Sequence, residues 1–79
     1  MAIVFVHLKV TPSKINDVWS KIRALEYVVE AYVITGDYDI IVKLEAPEVS
    51  SASKIIIEKI LKMDGVERSS SSIVLPQSE

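Results

Sequence analysis

Hydrophobic residues in this chain recur with a period of two, then of about 3.6, then of two again, and this alternation of periods restricts the fold more than any other feature. In "AIVFVHLKV" Ala2, Val4, Val6, Leu8 and Val10 are all apolar, while Ile3, Phe5, His7 and Lys9 lie between them. That is a strand whose even-numbered face enters a core. "TPSKINDVWSKIRAL" then places Ile15, Val18, Trp19, Ile22 and Leu25 on one helical stripe, with Thr11 as N-cap and Pro12 at the first helical position. "YVVEAYVIT" returns to β-branched and aromatic residues. After a Gly36 turn, "YDIIVKLE" alternates Tyr38, Ile40, Val42 and Leu44 against Asp39, Ile41, Lys43 and Glu45, which predicts a hairpin. A second helical stripe, Val49, Ala52, Ile56, Ile60 and Met63, runs between Pro47 and Gly65, the asymmetry expected of helix termini. "VERSSSSIVL" makes a last strand, ended by Pro76 and followed by a frayed "QSE" tail.

The order βαββαβ predicts an α+β, ferredoxin-like fold: a four-stranded antiparallel sheet with both helices on one face. The other face is expected to carry Ile3, Phe5, Ile41 and Ile73 among polar neighbours. An apolar sheet face without helices needs a cover, and a second subunit completing a dimeric α/β barrel is the expected one. With 79 residues the chain makes one domain of marginal core size, for which self-association is a common source of stability.

Charge and composition narrow the function classes. Nine basic against eleven acidic residues leave a net charge of −2, which offers phosphate no extended basic field and argues against direct nucleic-acid binding. Cysteine is absent, so disulfides, thiolate catalysis and thiolate zinc sites are excluded, consistent with a cytoplasmic protein. The apolar N-terminus has no basic leader and is interrupted by His7 and Lys9, so neither a signal peptide nor a membrane span is expected. His7 is the only histidine, which argues against a metal site and suits a partly buried strand residue near an interface. Trp19 falls at core spacing. With no nucleophile motif and no paired carboxylates, no catalytic residue is assigned and an enzyme is not expected. A dimeric enzyme of the small monooxygenase or isomerase type, using a cavity on the open face, is the alternative for this fold. No cofactor is called for.

In "VITGDYDIIVKLEAPEVS" and "KMDGVERSSSSIVL" the chain resembles the C-terminal effector-binding (RAM) domain of the Lrp/AsnC family of transcriptional regulators, and the resemblance covers nearly the whole length. The family's DNA-binding helix-turn-helix has no counterpart here, so residues 1–79 are expected to be a stand-alone effector domain. The resemblance implies homodimers formed through the sheet, assembly into rings such as octamers, amino-acid effectors bound between dimers, and association with full-length Lrp/AsnC-type regulators. Carried over residue by residue, Gly36, Asp37, Tyr38 and Asp39 match the family's glycine-and-acid loop, and Ser69 and Ser71 match hydroxyl positions on the last strand, where serine keeps the hydroxyl and loses a methyl. The chemistry of the loop suits a zwitterion. Free backbone N–H groups receive a carboxylate, and a carboxylate such as Asp39 receives an ammonium.

Overall fold

The computed structural model describes residues 1–77; of the tail expected over "QSE", residues 78 and 79 lie outside the described residues. Strand β1 spans Ala2–Val10, a 3₁₀ turn Pro12–Lys14, helix α1 Ile15–Arg23, β2 Val28–Val33, β3 Ile40–Ala46, α2 Val49–Ile55 with a wider π-helical turn Ile56–Ile60 continuing it, and β4 Val66–Ile73. The strands pair antiparallel in the order β2-β3-β1-β4. This is the ferredoxin-like arrangement that the period changes predict.

Alternation decides which face is buried. Val4, Val6, Leu8 and Val10 of β1 and Ile40, Val42, Leu44 and Ala46 of β3 form one cluster with Val18 and Ile22 of α1 and with Ala52, Ile56 and Ile60 of the second helix. Both helices therefore cover the same side of the sheet. Each large aliphatic side chain taken fully from water in this way stabilises the fold by about 1.5–3 kcal/mol. Trp19 packs against the cluster and donates its indole N–H to the Ala31 carbonyl at 2.9 Å. Arg23, one helical turn on, lies over the Trp19 ring at 4.4 Å from its centroid. Together they shield one carbonyl of the edge strand β2 from a competing strand.

Both edge strands carry a bulge, and the bulges correct the expected faces. In β4 the pairing runs Lys9↔Arg68 and then Val10↔Val66, so Glu67 is extra and the inward parity changes after it. Ile73, expected on the open face, instead pairs with Val4 and lies on the helix side with Ser69 and Ser71. In β2 the register shifts between Val28 and Glu30, leaving Val29 extra and half-exposed. The helix caps differ too. Pro12 does open the first helical turn, but the Thr11 hydroxyl makes no cap and donates to Glu67 at 3.0 Å.

Gly65 holds the turn between the second helix and β4 at φ +102, and its carbonyl accepts the Thr11 N–H at 2.8 Å. A β-carbon there would fall 2.5 Å from Lys14 Cβ. Nearby, the Asp64 carboxylate accepts a hydrogen bond from the Lys14 ammonium and raises its pKa above the usual lysine value.

Candidate functional site

The connection between β2 and β3 is a six-residue loop, residues 34–39, and not the tight turn that the Gly-Asp pair suggests. Tyr38 and Asp39, expected to begin the strand, belong to this loop. Its neck is closed by the Ile34 N–H donating to the Asp39 carbonyl at 2.8 Å. Asp39 also ties it to β1: its N–H donates to the Leu8 carbonyl at 2.8 Å, and its Oδ2 accepts the Val10 N–H at 2.8 Å. Lys9 Nζ stands 3.6 Å from the same oxygen. Asp39 is thus a strap between the loop and the end of β1, with one carboxylate oxygen already committed.

Past that strap the loop is open. Gly36 adopts φ +105, and a β-carbon on it would meet nothing within 4 Å. The N–H groups of Thr35, Gly36, Asp37 and Tyr38 donate to no protein acceptor among the described residues. Asp37 is exposed and makes no ion pair among the described residues. Free N–H groups can receive an anion, and a free carboxylate beside them a cation.

Tyr38 turns from the loop onto the sheet face opposite the helices. Its ring centroid lies 5.6 Å from that of His7, and the Arg68 guanidinium carbon lies 5.4 Å from it on the β4 side. Arg68 was not among the residues singled out from sequence. Its parity is visible from Ser70 and Ser72, but its place opposite Lys9 depends on the β1–β4 register.

Ser69 and Ser71 are not brought to this loop within one protomer. They pair with Leu8 and Val6, on the helix side of β4, whereas Tyr38 and His7 lie on the other side of the sheet. Ser71 lines a shallow groove with Val49, Ser53, Ile57 and Ile73 between the second helix and β4.

The open face carries Ile3, Phe5 and Ile41, partly buried, with exposed Tyr32 beside them. Lys43 bridges Glu30 at 3.7 Å and Glu45 at 3.4 Å on the same face. The Tyr32 hydroxyl donates to Glu30 at 2.7 Å, and this bond to a carboxylate holds its pKa above the ordinary phenol value. Among the described residues no group of His, Asp and Glu has metal-ligating geometry, and no helix is long and apolar enough to cross a membrane.

The same assembly of strands and loop recurs in known proteins. The crystal structure of FFRP-DM1 superposes with a TM-score of 0.90 at 35% identity, covering 95% of this chain and 100% of that one. The HTH-type transcriptional regulator FL11 of Pyrococcus furiosus is 34% identical over 71 residues, 90% of this chain and 46% of that protein. The leucine-responsive regulatory protein of Klebsiella pneumoniae is 28% identical over 58 residues, 73% of this chain and 35% of that protein. The chain therefore spans less than half the length of these two regulators. A family model described as the Lrp/AsnC ligand binding domain matches residues 3–78. With that match running through every strand, both helices and the 34–39 loop, the chain belongs to the Lrp/AsnC ligand-binding domain family.

Proposed function

We propose that this chain is an amino-acid-sensing module of the cytoplasm that binds its effector at the 34–39 loop and acts in transcriptional regulation by changing its association with itself or with full-length Lrp/AsnC-type regulators. The observation that carries this is the pairing, in one loop, of unsatisfied N–H groups at Thr35–Tyr38 with the unpaired carboxylate of Asp37. The N–H groups around Gly36 take the effector's carboxylate. Asp37, with the remaining oxygen of Asp39, takes its ammonium. The family's designation as a ligand-binding domain and the leucine response named in one relative support this choice of ligand.

The apolar open face supports a homodimer. Ile3, Phe5 and Ile41 at its centre would be covered by the same residues of a second copy, and Ser69 and Ser71, on the far side of the sheet, remain available to contacts between dimers in a larger ring such as an octamer. Binding, and not catalysis, is the activity that these groups suit. A ligand that binds only the folded state stabilises it by RT ln(1 + L/Kd), with L the free ligand concentration. In a melting screen against the twenty amino acids at millimolar concentration, at least one should raise the midpoint, and Asp37→Asn should lower that affinity roughly ten- to hundredfold, the loss of a charge-assisted contact, without lowering the unliganded midpoint. A flat response to all twenty would overturn the proposal.

A further inference from the structure

Arg68 is an exposed cation that rests against an aromatic ring and has no anionic partner among the described residues. It lies directly opposite Lys9 across the β1–β4 ladder, and like charges in that position repel. Asp39 answers only Lys9, at 3.6 Å. Among the described residues no carboxylate lies within ion-pair distance of Arg68. The guanidinium is set instead against Tyr38, 5.4 Å from the ring centroid, and the His7 ring packs at 5.6 Å from the same ring. Tyr38 is also the last residue of the loop segment whose N–H groups are unsatisfied. Tyr38 therefore joins two anion-receptive groups, its backbone belonging to the loop and its ring facing the Arg68 fork.

We propose that Arg68 is a specificity residue that receives a second carboxylate, so that the effector of this module is a monoamino dicarboxylic acid. This rests on the proposed amino-acid site at the 34–39 loop and names its substrate class. The α-carboxylate and ammonium occupy the loop, the aliphatic stem lies along Tyr38, and the side-chain carboxylate meets the guanidinium, whose planar donors match a carboxylate in two parallel hydrogen bonds. A carboxamide would accept a hydrogen bond from the fork but leave its charge uncompensated, and an aliphatic side chain would gain nothing from it. A lysine-like side chain would be repelled. The local charge permits the second anion because the Asp39 carboxylate is already compensated by Lys9 and by the Val10 N–H.

The test compares L-glutamate and L-aspartate with L-glutamine, L-asparagine and L-leucine by calorimetry, on the native chain and on Arg68→Gln. Arg68 is exposed on the edge strand β4, at the Lys9 end of the open face and beyond its apolar centre at Ile3, Phe5 and Ile41, so Arg68→Gln should keep both the native melting midpoint and the native sedimentation coefficient in the absence of ligand. At least one acidic amino acid should bind at least tenfold more tightly than its amide, and Arg68→Gln should remove that preference by lowering acidic-ligand affinity about ten- to hundredfold while leaving the amide unchanged. Tighter binding of L-glutamine, L-asparagine or L-leucine, or acidic-ligand affinity untouched by Arg68→Gln, would overturn the inference and leave the amino-acid site standing. Absence of binding by every amino acid would overturn both.

Discussion

Replacing Gly65 by alanine tests how tightly the turn before β4 is built against the first helical turn. Two costs add at this position. The backbone stands at φ +102, where an L-residue is strained by about 1–3 kcal/mol. The new β-carbon would also lie 2.5 Å from Lys14 Cβ and 2.9 Å from Lys14 Cγ, near the backbone end of that side chain, where a rotamer change gives little relief. Overpacking of this kind costs a further 1–3 kcal/mol or so. Gly36→Ala provides the internal control: its φ is +105 but its β-carbon meets nothing within 4 Å, so only the strain applies. For a domain of this size each kcal/mol moves the midpoint by about 4–8 °C. Gly65→Ala should therefore lose roughly 10 °C or more, and clearly more than Gly36→Ala, in circular-dichroism melts at one protein concentration, since an associating protein's midpoint depends on concentration. In a Lys14→Gly background, where the opposing carbon is gone, the cost of Gly65→Ala should shrink toward that of Gly36→Ala. Equal losses at the two glycines in the native background would refute the steric account.

Asp39→Ala should lower the unliganded midpoint by several degrees, because the Val10 N–H at 2.8 Å loses its acceptor, whereas Asp39→Asn keeps an acceptor oxygen and should melt close to the native chain; guanidinium titrations of both would check this. Trp19→Phe should cost about 1 kcal/mol by removing the 2.9 Å bond to the Ala31 carbonyl, measurable in the same titrations. Phe5→Lys, which places a charge at the centre of the open face, should convert a dimer to a monomer in sedimentation velocity while preserving the helical signal; an unchanged sedimentation coefficient would exclude this face as the interface.

The fold was legible because β1 and β3 are central strands whose even positions are without exception apolar, and the pattern of each is read without knowing its partners. The edge strands were less so. A bulge adds a residue, so strict alternation counted from the inward Val66 puts Ile73 on the open face, whereas the pairing beyond Glu67 puts it on the helix side. Four consecutive serines, Ser69 to Ser72, carry no hydrophobic signal that would reveal the slip. Gly36 and Gly65 illustrate a second limit. Both take positive φ, and sequence directed attention to Gly36, yet Gly65 is the one whose β-carbon has no room, because the opposing Lys14 lies far away in the chain.

The site divides along the same line between local and non-local information. Gly36, Asp37, Tyr38 and Asp39 are contiguous, so any structure would keep them together, and their match to a family loop drew on local sequence alone. What each side chain does there depends on what the fold sets beside it. Asp39, chosen from sequence as the ammonium acceptor, has one oxygen bound to the Val10 N–H because β1 ends next to the loop. The freer acid is Asp37. Removing Asp39 lowers stability whatever its part in binding, and the two roles separate only through Asp39→Asn, which retains an acceptor and drops the charge. If Asp39→Asn melts normally and binds the effector as well as the native chain does, the ammonium is held by Asp37 alone. If it melts normally and binds about tenfold or more weakly, Asp39 serves as strap and ligand at once.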